Sequence, residues 1–94
     1  MAIFKILGEN KSVFGEEKFN RNIQANRLYT KEQVDALKPE MVHRFRCLDD
    51  DGTSYFWGVC SDDSSFAPLD CLGVAYGCTE IQYKNPKTGE YETL

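Results

Sequence analysis

Met41-Val42-His43-Arg44-Phe45-Arg46-Cys47-Leu48-Asp49-Asp50-Asp51-Gly52-Thr53-Ser54-Tyr55-Phe56-Trp57-Gly58-Val59-Cys60 decides the fold of this chain. Two runs rich in apolar and aromatic residues flank a cluster of turn formers, the pattern of a β-hairpin. Asp51-Gly52 is a favoured two-residue turn, because both central positions take positive φ there. That turn sets Leu48 opposite Tyr55, Cys47 opposite Phe56, Arg46 opposite Trp57 and His43 opposite Cys60. A longer loop over residues 49–52 moves the partners by two and keeps the faces. One face then carries His43, Phe45, Cys47, Phe56 and Cys60. The other carries Arg44, Arg46, Leu48, Tyr55, Trp57 and Val59. The second strand is apolar on both sides, so it belongs in the interior of a sheet.

Working outward, residues 2–7 read as a short buried strand and residues 8–18 as a polar loop broken by Gly8 and Gly15. Residues 18–27 fit a helix face or a strand face. Three asparagines disfavour a helix interior, so strand is the preferred reading. Thr30-Lys31-Glu32-Gln33 is a helix start: Thr30 can accept from the third helical amide and Gln33 can reach back to the cap. Pro39 limits that helix to two or three turns. A helix so short needs Val34 and Leu37 packed on a sheet.

Residues 61–78 form a long connection, with Phe66, Leu69 and Leu72 spaced to make one helical turn that plugs the core. Loops of that length tend to be functional. Thr79, Ile81 and Tyr83 alternate with Glu80, Gln82 and Lys84 in a strand that shows one side to water. Asn85-Pro86-Lys87-Thr88-Gly89 is a turn, with Pro86 at its first central position and Gly89 suited to a left-handed one. Residues 90–94 return as a short edge strand. The expected architecture is α+β: an antiparallel sheet of four to six hairpin-built strands with one short helix, in a single domain covering residues 1–94.

At 94 residues the chain buries only about 60–65% of its unfolded surface, so its stability margin is small. It is 41% hydrophobic and 13% aromatic, enough for one modest core and unlike a disordered composition. The net charge of −4 is unevenly spread. Residues 1–48 hold nine basic and six acidic side chains, while residues 49–94 hold two basic and nine acidic ones. Such a dipole favours steered association with a basic partner. It argues against sequence-independent binding to DNA, where lysine and arginine neutralise phosphates. Only a small basic face on the N-terminal half remains for nucleic acid, and no direct nucleic-acid contact is expected. Nothing approaches the length of a membrane span, so the expectation is a soluble, cytoplasmic protein with no membrane association and with reduced thiols.

The cysteines Cys47, Cys60, Cys71 and Cys78 are separated by twelve, ten and six residues, which does not make a zinc knuckle. Cys47 and Cys60 read as small core residues on one sheet face. Cys60 opposite His43 is the one nucleophile–base pairing in reach, but it lacks an orienting third group. Asp49-Asp50-Asp51-Gly52 lacks the alternating ligand frame and terminal glutamate of a calcium loop. Gly73-Val74-Ala75-Tyr76-Gly77 has neither the dinucleotide glycine spacing nor a phosphate-loop lysine. No catalytic set, metal site or cofactor is therefore expected, and the chain is read as a non-enzyme.

Lysine and arginine are missing from Cys47 to Tyr83, where seven acidic residues mix with Tyr55, Phe56, Trp57, Phe66 and Tyr76. Turn chemistry explains part of this, since aspartate favours hairpin turns and caps. The remainder reads as a docking surface. Asp49, Asp50, Asp51, Asp62, Asp63 and Asp70 would supply charge complementarity, and Tyr55, Trp57 and Phe66 the aromatic anchors. Arg46 beside Trp57 suggests a cation–π pair on the outer face.

The Asp50-Asp51-Gly52 hairpin, its Tyr55-Phe56-Trp57 strand, the Asn85-Pro86-Lys87-Thr88-Gly89-Glu90 turn and the short length together resemble small proteins carried by bacterial phages and mobile elements. Those proteins include anti-defence inhibitors such as anti-CRISPRs, which often present an acidic face to a nucleic-acid-binding site. The resemblance implies inhibition by protein contact and transfers no individual residue. The expected function is a non-catalytic binding module whose acidic face docks on a basic, nucleic-acid-binding surface of a larger protein. The alternatives are a homo-oligomer, such as a dimer paired through residues 90–94, and a small-ligand binder with its pocket between the 61–78 loop and the sheet.

Overall fold

The computed structural model describes residues 3–14, 30–73 and 76–94. The strand reading of residues 18–27 falls outside them. Five strands form one antiparallel sheet: β1 (Phe4–Glu9), β2 (His43–Leu48), β3 (Ser54–Cys60), β4 (Glu80–Lys84) and β5 (Tyr91–Thr93). Their spatial order is β1-β3-β2-β4-β5, so β3 lies inside the sheet, as its two apolar sides require, and β5 is an edge. The expected α+β class holds.

The β2–β3 hairpin keeps the predicted pairing over most of its length, with His43 opposite Cys60, Arg46 opposite Trp57 and Cys47 opposite Phe56. Near the turn it differs. Gly52 N–H donates to Asp49 C=O at 3.1 Å and Asp49 N–H donates to Thr53 C=O at 3.0 Å. The turn therefore has three residues, with positive φ at Gly52 (81°) alone and not at Asp51. Asp49 makes this form preferable, because its Oδ1 accepts from the amides of both Asp51 and Thr53 at 2.9 Å. By itself this three-residue turn would put every pair out of step by one. A bulge at Tyr55 absorbs the extra residue, so Leu48 pairs with Ser54 rather than with Tyr55.

One face of the sheet is the core. Phe4, Ile6, Phe45, Cys47, Phe56, Cys60, Ile81 and Tyr83 point to it and are buried, and Cys78 joins them. Phe4 meets Phe45 edge to face, with ring centroids 6.1 Å apart. Gly58 is needed here because β1 crosses close by: a Cβ would lie 2.0 Å from the Lys5 carbonyl oxygen.

Among the described residues two helices accompany the sheet. The four-residue α1 (Lys11–Phe14) starts where Asn10 Oδ1 accepts from Ser12 N–H at 2.9 Å, in a stretch expected to be loop. The other, α2 (Lys31–Leu37), begins with the anticipated capping box: Gln33 N–H donates to Thr30 Oγ1 and Thr30 N–H donates to Gln33 Oε1. A single 3-10 turn (Lys38–Glu40) follows it. Of the two side chains expected to pack, Leu37 lies outside the described ones. Val34 is half-buried and the other described side chains of α2 are exposed.

The core is covered instead by the connection between β3 and β4. Pro68 is fully buried there, and Ala67, Leu69 and Tyr76 pack on the core cluster. The segment contains a wide helical turn (Leu69–Gly73). Phe66 is not the expected plug: it is 46% exposed. Asp70 N–H donates to Phe66 C=O at 2.8 Å, so the two residues share the side of the turn away from the sheet, and Pro68 takes the inward position.

Candidate docking surfaces

The aspartates proposed from the sequence do not form one cluster. Asp49, Asp50 and Asp51 sit at the closed end of the β2–β3 hairpin. Asp62 and Asp63 follow β3 at its open end, beyond the His43–Cys60 pair. The six residue pairs between these ends put the two groups about 20 Å apart.

At the closed end Asp49 is part of the scaffold, since its carboxylate holds the turn amides. Tyr55 belongs with it. The bulge turns this side chain from the outer face, where alternation placed it, onto the core cluster. Its hydroxyl is raised above its ordinary pKa by desolvation and by the Asp49 carboxylate that it bonds. Tyr55 is accordingly a structural brace, while Asp50 and Asp51 project into solvent.

The open end carries a more continuous acidic surface. Asp62 Oδ1 accepts from Ser64 N–H at 2.9 Å and Ser64 Oγ–H at 2.7 Å, which lowers its pKa. Asp63 lies 3.7 Å from His43 Nδ1 and remains 60% exposed. Phe66 and Asp70 follow on the same exposed side. The segment is tied down from beneath: Tyr83 Oη donates to Ser65 C=O at 2.6 Å, Ser65 Oγ accepts from Ala67 N–H at 3.1 Å, and Pro68 is buried. Burial pushes the Tyr83 phenol well above its ordinary pKa, so it stays protonated and keeps donating.

Under Asp63 an open cleft of about 370 Å³ runs along β4 and β5, lined by Tyr83, Lys84, Asn85, Pro86, Lys87, Glu92, Thr93 and Leu94. Asp63 is the one lining residue from the long connection, so the cleft belongs mainly to the β4–β5 hairpin rather than to the space between residues 61–78 and the sheet.

Trp57 lies on the outer face, 40% exposed. It does not pair with Arg46 through its ring. Arg46 Nε donates to Gln82 Oε1 at 2.7 Å, and the guanidinium carbon stands 4.3 Å above the Tyr91 ring centre. Gln82 draws the arginine across to β4 and β5, and the indole turns the other way, over Gly8. A Cβ on Gly8 would fall 2.3 Å from Trp57 Nε1. Gln82 Nε2 donates in turn to Glu80 Oε2 at 2.7 Å, and Thr93 Oγ1 donates to the same oxygen. These bonds lower the Glu80 pKa, with Thr93 the larger influence.

Cys47, Cys60 and Cys78 are buried and Cys71 is exposed, all as free thiols. Desolvation pushes Cys47 far up and Cys78 up to about 12. Cys60 is fully buried, and the imidazole opposite it in register approaches Asp63. Among the described residues no group of three or more His, Cys, Asp or Glu side chains is arranged to hold a metal ion, and no helix is long and apolar enough to cross a membrane. No protein-family model, curated protein or solved structure matches this chain.

The sequence reading did not bring together three exposed groups of the outer face, Lys5, Arg44 and Lys84, with Tyr91 half-buried beside them. The alternation of β1, β2 and β4 put them on one side. Their convergence follows from the strand order β1-β3-β2-β4, which the sequence does not spell out.

Proposed function

We propose that this chain is a non-catalytic binding module, inhibitor-like in action, that docks on a basic surface of a larger protein through residues 62–70. One observation carries the reading: Phe66 stands 46% exposed between Asp62–Asp63 and Asp70 on a segment pinned to the core. A phenylalanine facing water beside a buried proline is poised as an anchor, and the surrounding carboxylates would steer a cationic partner towards it. Pinning limits the ordering entropy that binding would otherwise cost. A groove that normally holds nucleic acid is a partner of matching chemistry.

Affinity capture with the wild-type chain, followed by kinetics on the captured protein, tests this. Phe66→Ala should speed dissociation. Asp63→Lys with Asp70→Lys should slow association at least tenfold at low salt and leave the thermal midpoint within a few degrees. Asp62 is avoided because its carboxylate holds the turn. Unchanged association in the double variant would refute the proposal.

The cleft beneath Asp63 favours a second reading, a small-ligand binder. Its volume of about 370 Å³ is at the lower end for a ligand site, and its lining mixes Lys84, Lys87 and Glu92 with Tyr83 and Leu94. A thermal-shift series with nucleotides and carboxylates checks it. A rise in midpoint lost on Lys87→Ala is the supporting result.

A further inference from the structure

The outer face of the sheet has a different character from the acidic ends. Cross-strand register places Lys5 and Arg44 on either side of Val59, and Lys84 next to Tyr91. Arg44 and Lys84 flank the Phe45–Tyr83 pair. Lys5, Arg44 and Lys84 are exposed, and among the described residues none of them has an ion-pair partner. The acidic side chain in this array is Glu80, held by Gln82 and Thr93. The row spans four strands, β1, β3, β2 and β4, or about 14 Å.

Trp57 lies on the next row, between Gly8 and Arg46. Its indole nitrogen and ring carbons occupy the place of a Gly8 Cβ, at 2.3–2.7 Å from where that atom would be. The Nε1–Cζ2 edge of the ring therefore lies against Gly8 of β1, and 40% of the residue is open to solvent. An aromatic ring laid on a sheet beside a row of unpaired cations has the two parts of a single-strand site: a stacking platform and charges for the backbone.

We propose that the outer sheet face binds single-stranded nucleic acid, with a base stacked on Trp57 and phosphates against Lys5, Arg44 and Lys84. The chain-wide charge of −4 argues against a polyanion, but it is an average over surfaces. The carboxylates gather in the turns at the two ends, and this face carries the opposite sign. An acidic protein segment fits less well. The arginine nearest Trp57 has its Nε on Gln82 and one side of its plane on Tyr91, so its side-on fork of Nε with one Nη is not open to a carboxylate. Nor would a peptide carboxylate use the open indole.

Trp57 is the only tryptophan, so its emission reports the site directly. Titration of the full chain with oligothymidylate at low salt should quench it. The log of the affinity should fall against the log of salt with a slope of about −2, as expected for three neutralised phosphates on a single strand. Arg44→Glu with Lys84→Glu, both at exposed positions, should weaken binding at least tenfold with the thermal midpoint retained. Trp57→Phe should weaken it less and Trp57→Ala more. Asp63→Lys with Asp70→Lys should not weaken it, which separates this site from the docking segment. The proposal is overturned by absence of quenching, by a salt-independent signal, or by binding unaffected in the Arg44/Lys84 double variant. Equal affinity for polyglutamate of matched charge would assign the face to an acidic protein. A salt-sensitive dimer in light scattering that takes up no oligonucleotide would assign it to a second copy.

Discussion

Cysteine shows how one residue type divides by position. Cys47 and Cys60 occupy inward positions on neighbouring strands, and Cys78 closes over the same core. Burial disfavours the thiolates of Cys47 and Cys78, the reactive form. Cys71 lies on the exposed side of the covering segment. At mildly alkaline pH a thiol reagent should therefore label the native protein once, at Cys71, and all four sites should react after unfolding. Peptide mapping by mass spectrometry reads the position. Rapid native labelling at Cys47 would contradict the packing. These inward cysteines were legible from strand alternation in residues 43–60. Tyr55 was not, because a one-residue bulge reverses the face on which alternation places it. Phe66 was misplaced for a related reason. A helical turn read from spacing alone has no phase, and here Pro68 occupies the inward position.

Among the elements, the segment between β3 and β4 matters most. It covers the core, presents the acidic surface and contributes Asp63 to the rim of the cleft. Its backbone is held by the Tyr83 hydroxyl on the Ser65 carbonyl at 2.6 Å. Tyr83→Phe removes that donor and leaves the ring packed, so global stability should drop by about 1 kcal/mol. Hydrogen exchange should show faster opening of residues 62–70 than of β2 and β3. If the segment binds its partner preorganised, the same variant also lowers affinity without altering any charged group. The helix gives the opposite lesson. Its capping box was readable at Thr30 and Gln33, because capping is local chemistry. Its neighbours were not readable, because a stripe of two apolar residues does not name them.

On the scale of the molecule, charge is sorted by surface. Acidic turns lie at both ends of the β2–β3 hairpin, and a basic row with Trp57 crosses the outer face. Besides Asp49 in the hairpin turn, two further carboxylates are structural. Hydrogen bonds from Ser64 to Asp62, and from Thr93 and Gln82 to Glu80, hold their pKa values below the ordinary 3.8 and 4.5. A carboxylate depressed in the folded state adds stability above its unfolded pKa and loses it as pH falls through the folded value. Both contributions are thus complete above pH 4.5 and decline in more acidic solution. Urea unfolding at a series of pH values should show the wild-type midpoint falling on that acid limb. Asp62→Asn and Glu80→Gln should each flatten the fall.

The amino-acid sequence by itself determined the strands, the two hairpin turns, the helix cap and the inward set Phe45, Cys47, Phe56, Cys60, Ile81 and Tyr83. Alternation, capping and turn preferences act over a few residues, so they can be read along the chain. The tertiary structure alone decided that β1 pairs with β3 and β4 with β2, and that Lys5, Arg44 and Lys84 meet in one row. It alone decided that Asp50 and Asp63 face different ends, and that Phe66 rather than Tyr55 stands exposed. Those outcomes depend on contacts between residues tens of positions apart, where packing and register choose among arrangements that local preferences leave equal.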